Sequence, residues 1–216
     1  VAIAFMIDVI EDKRQQDIIF EEFKAVQEKL YNELQEEFED DFESWDMMLD
    51  GDLSIRFTNT DVLFESGSYE ITDNFGEILD QFLPRYFDVL RKMEYRDKIR
   101  EIRIEGHSDN DPIYRRGYSS HPYIGNVQLS QERARAVMKH FMVGEYYKEL
   151  KYKERNQIEY WLTANGLSYG NMLNTDGKPY QVYGGKRDAK KSRRVEFRIV
   201  TAMDEVFESM LNLTSN

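Results

Sequence analysis

The sequence predicts an α/β chain of the α+β kind, a βαβαβ-type sandwich of about four strands with helices on one face, behind a long N-terminal helix. Three observations predict it. Short runs of apolar alternation at 53–57, 99–106 and 195–200 are separated by longer stretches of helical periodicity, the pattern of strands interleaved with helices. Of 216 residues 41% are hydrophobic and 13% aromatic, enough for one good core in one or two domains. Finally, apolar residues between 19 and 49 recur in steps of three and four, which marks one long amphipathic helix.

VAIAFMIDVI opens the chain as ten residues with one charge, too short for a hydrocarbon core that needs about 20. The charges that follow at once (Glu11, Asp12, Lys13, Arg14) resemble the water-side exit of a span, with Asp8 an interfacial acid; a short buried helix end or a dimer contact is the competing reading. The helical stripe then runs Ile19, Phe23, Val26, Leu30, Leu34, Phe38, Phe42, Trp45, Leu49, and is expected to end near Asp50-Gly51-Asp52. Residues 1–52 hold 17 acids against 4 bases, whereas the rest of the chain, with 24 acids and 25 bases, is nearly neutral. That acidity reads as a solvated helical stalk and disfavours nucleic acid, whose phosphates it repels. Its apolar stripe must be covered, by a second copy or by the domain's own surface.

LSIRF (53–57) reads as the first strand, with 62–64 leading to a strand exit at 65–68. Thr72 is the expected N-cap of a helix that Pro84 should kink or split. Residues 99–106 form the second strand. The loop from 108 to 128 is long enough to suggest a role. Ser130 is expected to cap the next helix, 180–183 to be the third strand, 195–200 the fourth, and 202–213 a closing helix. Cysteine is absent, so no disulfide, thiolate metal site or Cys nucleophile can be argued.

The chemistry gathers at the tip of the second strand. His107, Ser108 and Asp109 follow Gly106 there, and the following helix carries Arg133 and Arg135, so a carboxylate and a guanidinium can be held a fixed distance apart, as a zwitterion requires. Competing readings make Asp109 a loop cap and Arg133 a surface residue. His107 with Asp109, Asp111 and His121 is a weak metal pattern, on which a metal-dependent hydrolase could be built; a buried structural histidine is the simpler account. Asp109-Asn110-Asp111 lacks the glycine and terminal glutamate of a calcium loop, and no Walker loop, dinucleotide fingerprint or G-x-S-x-G is present. Lys186, Arg187, Lys190, Lys191, Arg193, Arg194 and Arg198 form a basic cluster, read as one pocket arginine plus solvated lysines rather than a site for an anionic polymer.

GHSDN at 106–110, Asn126 three residues ahead of LSQERA, and SRRVEF at 192–197 resemble the OmpA-like, or MotB-like, peptidoglycan-binding domain, whose usual text is GHTDN, N-x-x-L-S-x-x-R-A and NRRVE. The likeness covers residues 53–200, with apparent insertions near 112–124 and 143–158, and leaves 1–52 as span end and stalk and 201–216 as a C-terminal helix. It implies a non-enzymatic site that binds the diaminopimelate of a wall stem peptide: Asp109 for the ammonium, Arg133 for the carboxylate, and Ser108, Asn126 and Arg193 completing the pocket. No metal or other cofactor is implied. It also implies a stator subunit in the inner membrane with its domain in the periplasm, joined to a MotA-like channel subunit, while the stalk's apolar stripe predicts a homodimer through the N-terminal helix. A protein-interaction module with an inactive pocket is the other reading. Asp111-Pro112, Ser192 in place of Asn, and the long connection from Asp109 to Arg133 depart from the family text.

Overall fold

The computed structural model describes residues 2–58, 63–65 and 67–202. The expected helix at 202–213 therefore lies almost wholly outside the described residues, as does part of the strand exit around 62–68. Helix α1 (Ala2–Glu37) is followed by β1 (Met47–Leu49), β2 (Ile55–Phe57), α2 (Asp73–Leu90), α3 (Met93–Arg96) and β3 (Ile99–His107). Then come α4 (Pro122–Val143), α5 (Glu145–Glu149), α6 (Tyr152–Trp161), β4 (Leu162–Gly166), α7 (Tyr180–Tyr183), α8 (Ala189–Ser192) and β5 (Arg194–Thr201). The five strands form one sheet in the order β1-β2-β5-β3-β4, antiparallel except for the parallel pair β3 and β4.

Alternation decides which side of the sheet carries the core. Ile55, Phe57, Ile102, Ile104, Val195 and Phe197 share the face on which α2 packs, and Phe57, Phe82, Tyr86 and Phe197 meet there with ring centroids 5.0–6.0 Å apart. Thr72 caps α2 as expected, its Oγ1 accepting from the Phe75 N–H at 3.2 Å. Pro84 does not split this helix, which runs on from Asp73 to Leu90.

The long N-terminal helix is present but ends at Glu37, not near Asp50. Residues 38–46 form successive turns, closed by bonds such as Trp45 N–H to Asp41 O (2.9 Å), and Asp46 takes a left-handed φ of 47°. The apolar positions of this stretch kept helical spacing because the turns bury Phe38 and, in part, Phe42 and Trp45 against the domain. From Leu30 onward the stripe is covered by the chain itself. Leu30, Leu34 and Phe38 are buried, Phe38 lies 5.1 Å from Phe82, and Arg85 ties the helix end to α2 through Glu37 (2.6 Å) and Asp41 (2.7 Å). Ile18, Ile19 and Phe20 remain exposed. No helix among the described residues is long and apolar enough to cross a membrane.

Two strand assignments change. Residues 180–183 are a single helical turn, bounded by Pro179 and by Gly184 and Gly185 with φ of 65° and 90°. Leu162–Gly166, where no strand was expected, is the edge strand beside β3. Residues 143–158 are structural cover: Tyr147, Leu150 and Ile158 join the core, and Arg91 pairs with Glu154 at 3.0 Å.

Candidate functional site

β3 is bonded on both sides, so its last residues are fixed from two directions and Ser108 and Asp109 leave from a rigid end. Past the strand pairing the Ser108 N–H donates to Ser168 O (2.9 Å), and the Leu167 N–H to Gly106 O (2.9 Å). Helix α4 lies directly on this tip. A Cβ on Gly106 would stand 2.1 Å from Ser130 O, and one on its strand partner Gly166 2.4 Å from the Gln131 N. Only two glycines allow the helix backbone to come so close.

Ser130 is not the N-cap of α4. The helix begins at Pro122, eight residues earlier, with proline in its first turn where a missing N–H costs nothing. Ser130 is wholly buried in mid-helix. Its Oγ donates to Val127 O (3.1 Å) and accepts from the Ser168 N–H (3.0 Å), while the Ser168 hydroxyl donates to Tyr123 O (3.0 Å). Ser168, with φ of 53°, thus locks helix, strand tip and the loop after β4 together. It was missed in the sequence because a lone serine after Gly166-Leu167 carries no periodic signal.

Of the five expected site residues, Ser108, Asp109, Asn126 and Arg193 meet at this junction, and Arg133 lies further along α4. Asp109 is buried; its Oδ1 accepts from the Asp111 N–H (3.0 Å) and its Oδ2 from Arg193 Nη1. Asn126 is fully buried and its Nδ2 donates to Asp111 O (2.9 Å) and Pro122 O (3.1 Å), so it holds the Asp109 loop. Arg133 lies two turns further along α4, about 10 Å by helical rise. It is buried, donates from Nε to Ser68 O (2.9 Å), and has its guanidinium 4.9 Å from the centre of the Phe64 ring. Two buried polar atoms, Ser108 Oγ and Asn126 Oδ1, have no hydrogen-bond partner among the described residues. Such atoms are costly unless something polar reaches them.

The metal pattern is not assembled as the sequence suggested. Asp111 and His121 are exposed, His121 at the start of α4, and Asp109 is engaged by its own loop and Arg193. His107 instead points from the far face of the sheet toward Glu105 and Glu196, with Nε2 3.5 and 3.6 Å from their Oε2 atoms. Burial, seconded by the nearby Arg194 charge, pushes its imidazole down to about 3, and burial also raises Glu105. The basic cluster divides as well: Arg194 is buried and donates from Nε to Glu196 (3.0 Å), Arg193 goes to Asp109, Arg187 stacks on Tyr180 at 4.4 Å, and Lys186 and Lys190 face solvent. Ser192, standing at the Asn position of the family text, is buried and accepts from the Leu173 N–H (2.9 Å).

Residues 63–151 match the model of the OmpA family. Over 205 residues the chain is 34% identical to the Zorya protein ZorB of Escherichia coli, which covers 93% of this chain and 80% of that protein. The chain belongs to the OmpA-like family that includes ZorB. A MotB-like protein from Desulfovibrio vulgaris shares the fold, at 21% identity and a TM-score of 0.53 over 83% of this chain and 93% of that one. Members of this OmpA-like family are anchoring or structural components, and the chain is not an enzyme.

Proposed function

We propose that this OmpA-like chain is the wall anchor of a stator-like complex, gripping the diaminopimelate of a peptidoglycan stem peptide at the β3 tip. Asp109 takes the ammonium and Arg133 the carboxylate, with Ser108, Asn126 and Arg193 around them. The observation that carries this reading is the junction itself: an acid and a base, both buried, at two ends of a rigid strand-helix contact, with Ser108 Oγ and Asn126 Oδ1 unsatisfied beside them. Buried polar groups of this kind are retained where a ligand completes them. In the same reading the domain sits in the periplasm and a single N-terminal span holds it in the inner membrane. The N-terminal helix pairs two copies through its apolar stripe ahead of Leu30, where Ile19 is exposed, and a MotA-like (ZorA-like) channel subunit is the membrane partner, in an anti-phage role like that of the Zorya system.

The test is co-sedimentation of the purified protein with sacculi. Asp109→Ala and Arg133→Ala should each weaken binding by about 10- to 100-fold, the worth of a charge-assisted hydrogen bond. Asp109 and Arg133 each already have a protein contact, at Arg193 and at Ser68 and Phe64, which favours one rival: an interaction module whose pocket is closed on itself. That rival predicts no sacculus binding by the parent protein, or binding that neither substitution changes.

A further inference from the structure

The far face of the sheet holds a second cluster that the wall-binding reading does not use. Glu105 and His107 on β3 and Glu196 on β5 are all buried, and each offers one ligand atom within 4.8 Å of the others. Glu105 and Glu196 are direct register partners, so their convergence follows from the strand pairing rather than from chance side-chain positions. The chain between β4 and β5 closes over them: Arg56 donates to Gly177 O and Arg194 to Asn171 O, both at 3.2 Å.

Two features of this cluster point beyond the protein's own hydrogen bonds. Both ring nitrogens of His107, a side chain 2% exposed, lack a hydrogen-bond partner among the described residues. Glu105, 5% exposed, accepts no hydrogen bond from them either, and Arg194 takes only the other carboxylate, Glu196. An imidazole buried with both nitrogens unpartnered is disfavoured unless something polar reaches it, and the carboxylate beside it is met by the charges of Arg198, Arg103 and Arg194 but by no donor among the described residues. The Nε2 to carboxylate distances of 3.5 and 3.6 Å are too long for hydrogen bonds. They match the spacing of ligands around a common ion, since bonds of about 2.1 Å at tetrahedral angles put neighbouring ligand atoms about 3.4 Å apart.

We propose that Glu105, His107 and Glu196 bind a divalent first-row cation, with zinc the best fit to a mixed imidazole and carboxylate set. The neutral imidazole supplies Nε2, the two carboxylates balance the ion's charge, and Arg194 orients Glu196 from outside, as outer partners of metal ligands do. The site is structural. It pins the end of β3 to the start of β5, two residues before Asp109 and just after Arg193, and so fixes the strand ends from which those two side chains leave.

The test uses untagged protein purified without chelator, with metal content read by plasma mass spectrometry and unfolding followed with and without EDTA. About one equivalent of zinc or another first-row ion is expected, with a lower melting temperature after chelation. Glu105→Gln, which keeps size and shape, and His107→Asn should each lose the ion, while His140→Asn, whose ring contacts Asp80 on the surface, should keep it. The idea is overturned if the folded parent protein, even after dialysis against zinc, holds less than about a tenth of an equivalent, or if Glu105→Gln retains the ion.

Discussion

Gly106→Ala tests whether the geometry of the strand tip is as tightly determined as the backbone contact implies. The added methyl would stand 2.1 Å from Ser130 O, 2.9 Å from Ser130 C and 3.2 Å from its Cα. All three are backbone atoms inside a 22-residue helix, so no rotamer change can relieve them. An ordinary carbon-oxygen contact needs a little over 3 Å, so α4 must retreat by about 1 Å or β3 must buckle. Overpacking of this kind costs about 1–3 kcal/mol, and the absence of a yielding side chain places this case at the upper end. For a chain of this size about 3 kcal/mol lowers the melting temperature by about 6–12 °C. Urea unfolding should show a reduced midpoint at unchanged slope, and sacculus binding should weaken because α4 carries Asn126 and Arg133. Gly51→Ala, where an added Cβ meets nothing within 4 Å, is the control and should change stability by less than about 0.5 kcal/mol. A Gly106→Ala protein within that same margin would refute the claim that direct helix-on-strand contact sets the site.

Leu34→Ala should destabilise the whole domain by about 2–5 kcal/mol in one cooperative transition, because Leu34 is wholly buried in the common core. A loss below about 1 kcal/mol would mean that the helix end is a detachable stalk. Arg85→Ala removes the contacts to Glu37 and Asp41 and the stacking on Phe38 at 4.6 Å. With the side chain about a third exposed, the expected cost is about 1 kcal/mol, shrinking in high salt; a loss that ignores salt would assign the effect to packing alone.

Strands β2, β3 and β5 were legible because their apolar residues alternate against one core face. The opposite face misled. Arg56, Glu105, Arg194 and Glu196 look solvated in the sequence, yet they are buried under residues 171–177, a covering segment whose own polarity gives no sign of burial. β4 was illegible for another reason: Leu162-Thr-Ala-Asn-Gly has no clear strand pattern of its own and becomes a strand by bonding to the open edge of β3. Tyr180–Tyr183 failed in the opposite sense, strand-favouring residues overruled because β3 and β5 already have neighbours on both sides. At the site, the motif text located Asp109, Asn126 and Arg133. It could not show that Asp109 meets Arg193 or that Arg133 meets Ser68, contacts spanning 84 and 65 residues of chain. The start of α4 had a usable signal in Pro122, outweighed by the cap-like text of Leu-Ser-Gln-Glu.

If the chain is a wall anchor, the placement of its two working ends decides how it bears load. Helix α1 docks near the start of β3: Phe23, Val26 and Leu30 line one small cavity with Tyr95, Lys98 and Ile99, and Lys98 Nζ lies 5.3 Å from the Phe23 ring centre. Ser108 and Asp109 of the proposed wall site leave from the other end, beyond His107, a nine-residue strand away, or about 30 Å. Tension between the N-terminal helix and the wall would therefore run along β3 itself. That strand is bonded on both sides, to β5 and to β4, and a pull along its axis loads those ladders in shear, many bonds at once. A pull across the sheet would open them one after another. Resistance to forced unfolding is set by the height of the unfolding barrier, which the shear geometry raises without any gain in equilibrium stability. The strand tip is braced against such a load at short range, by two glycines under α4, by the bond from the Ser168 N–H to Ser130 Oγ, and by Gln131, whose side chain donates to Ala164 O and accepts from the Gly166 N–H.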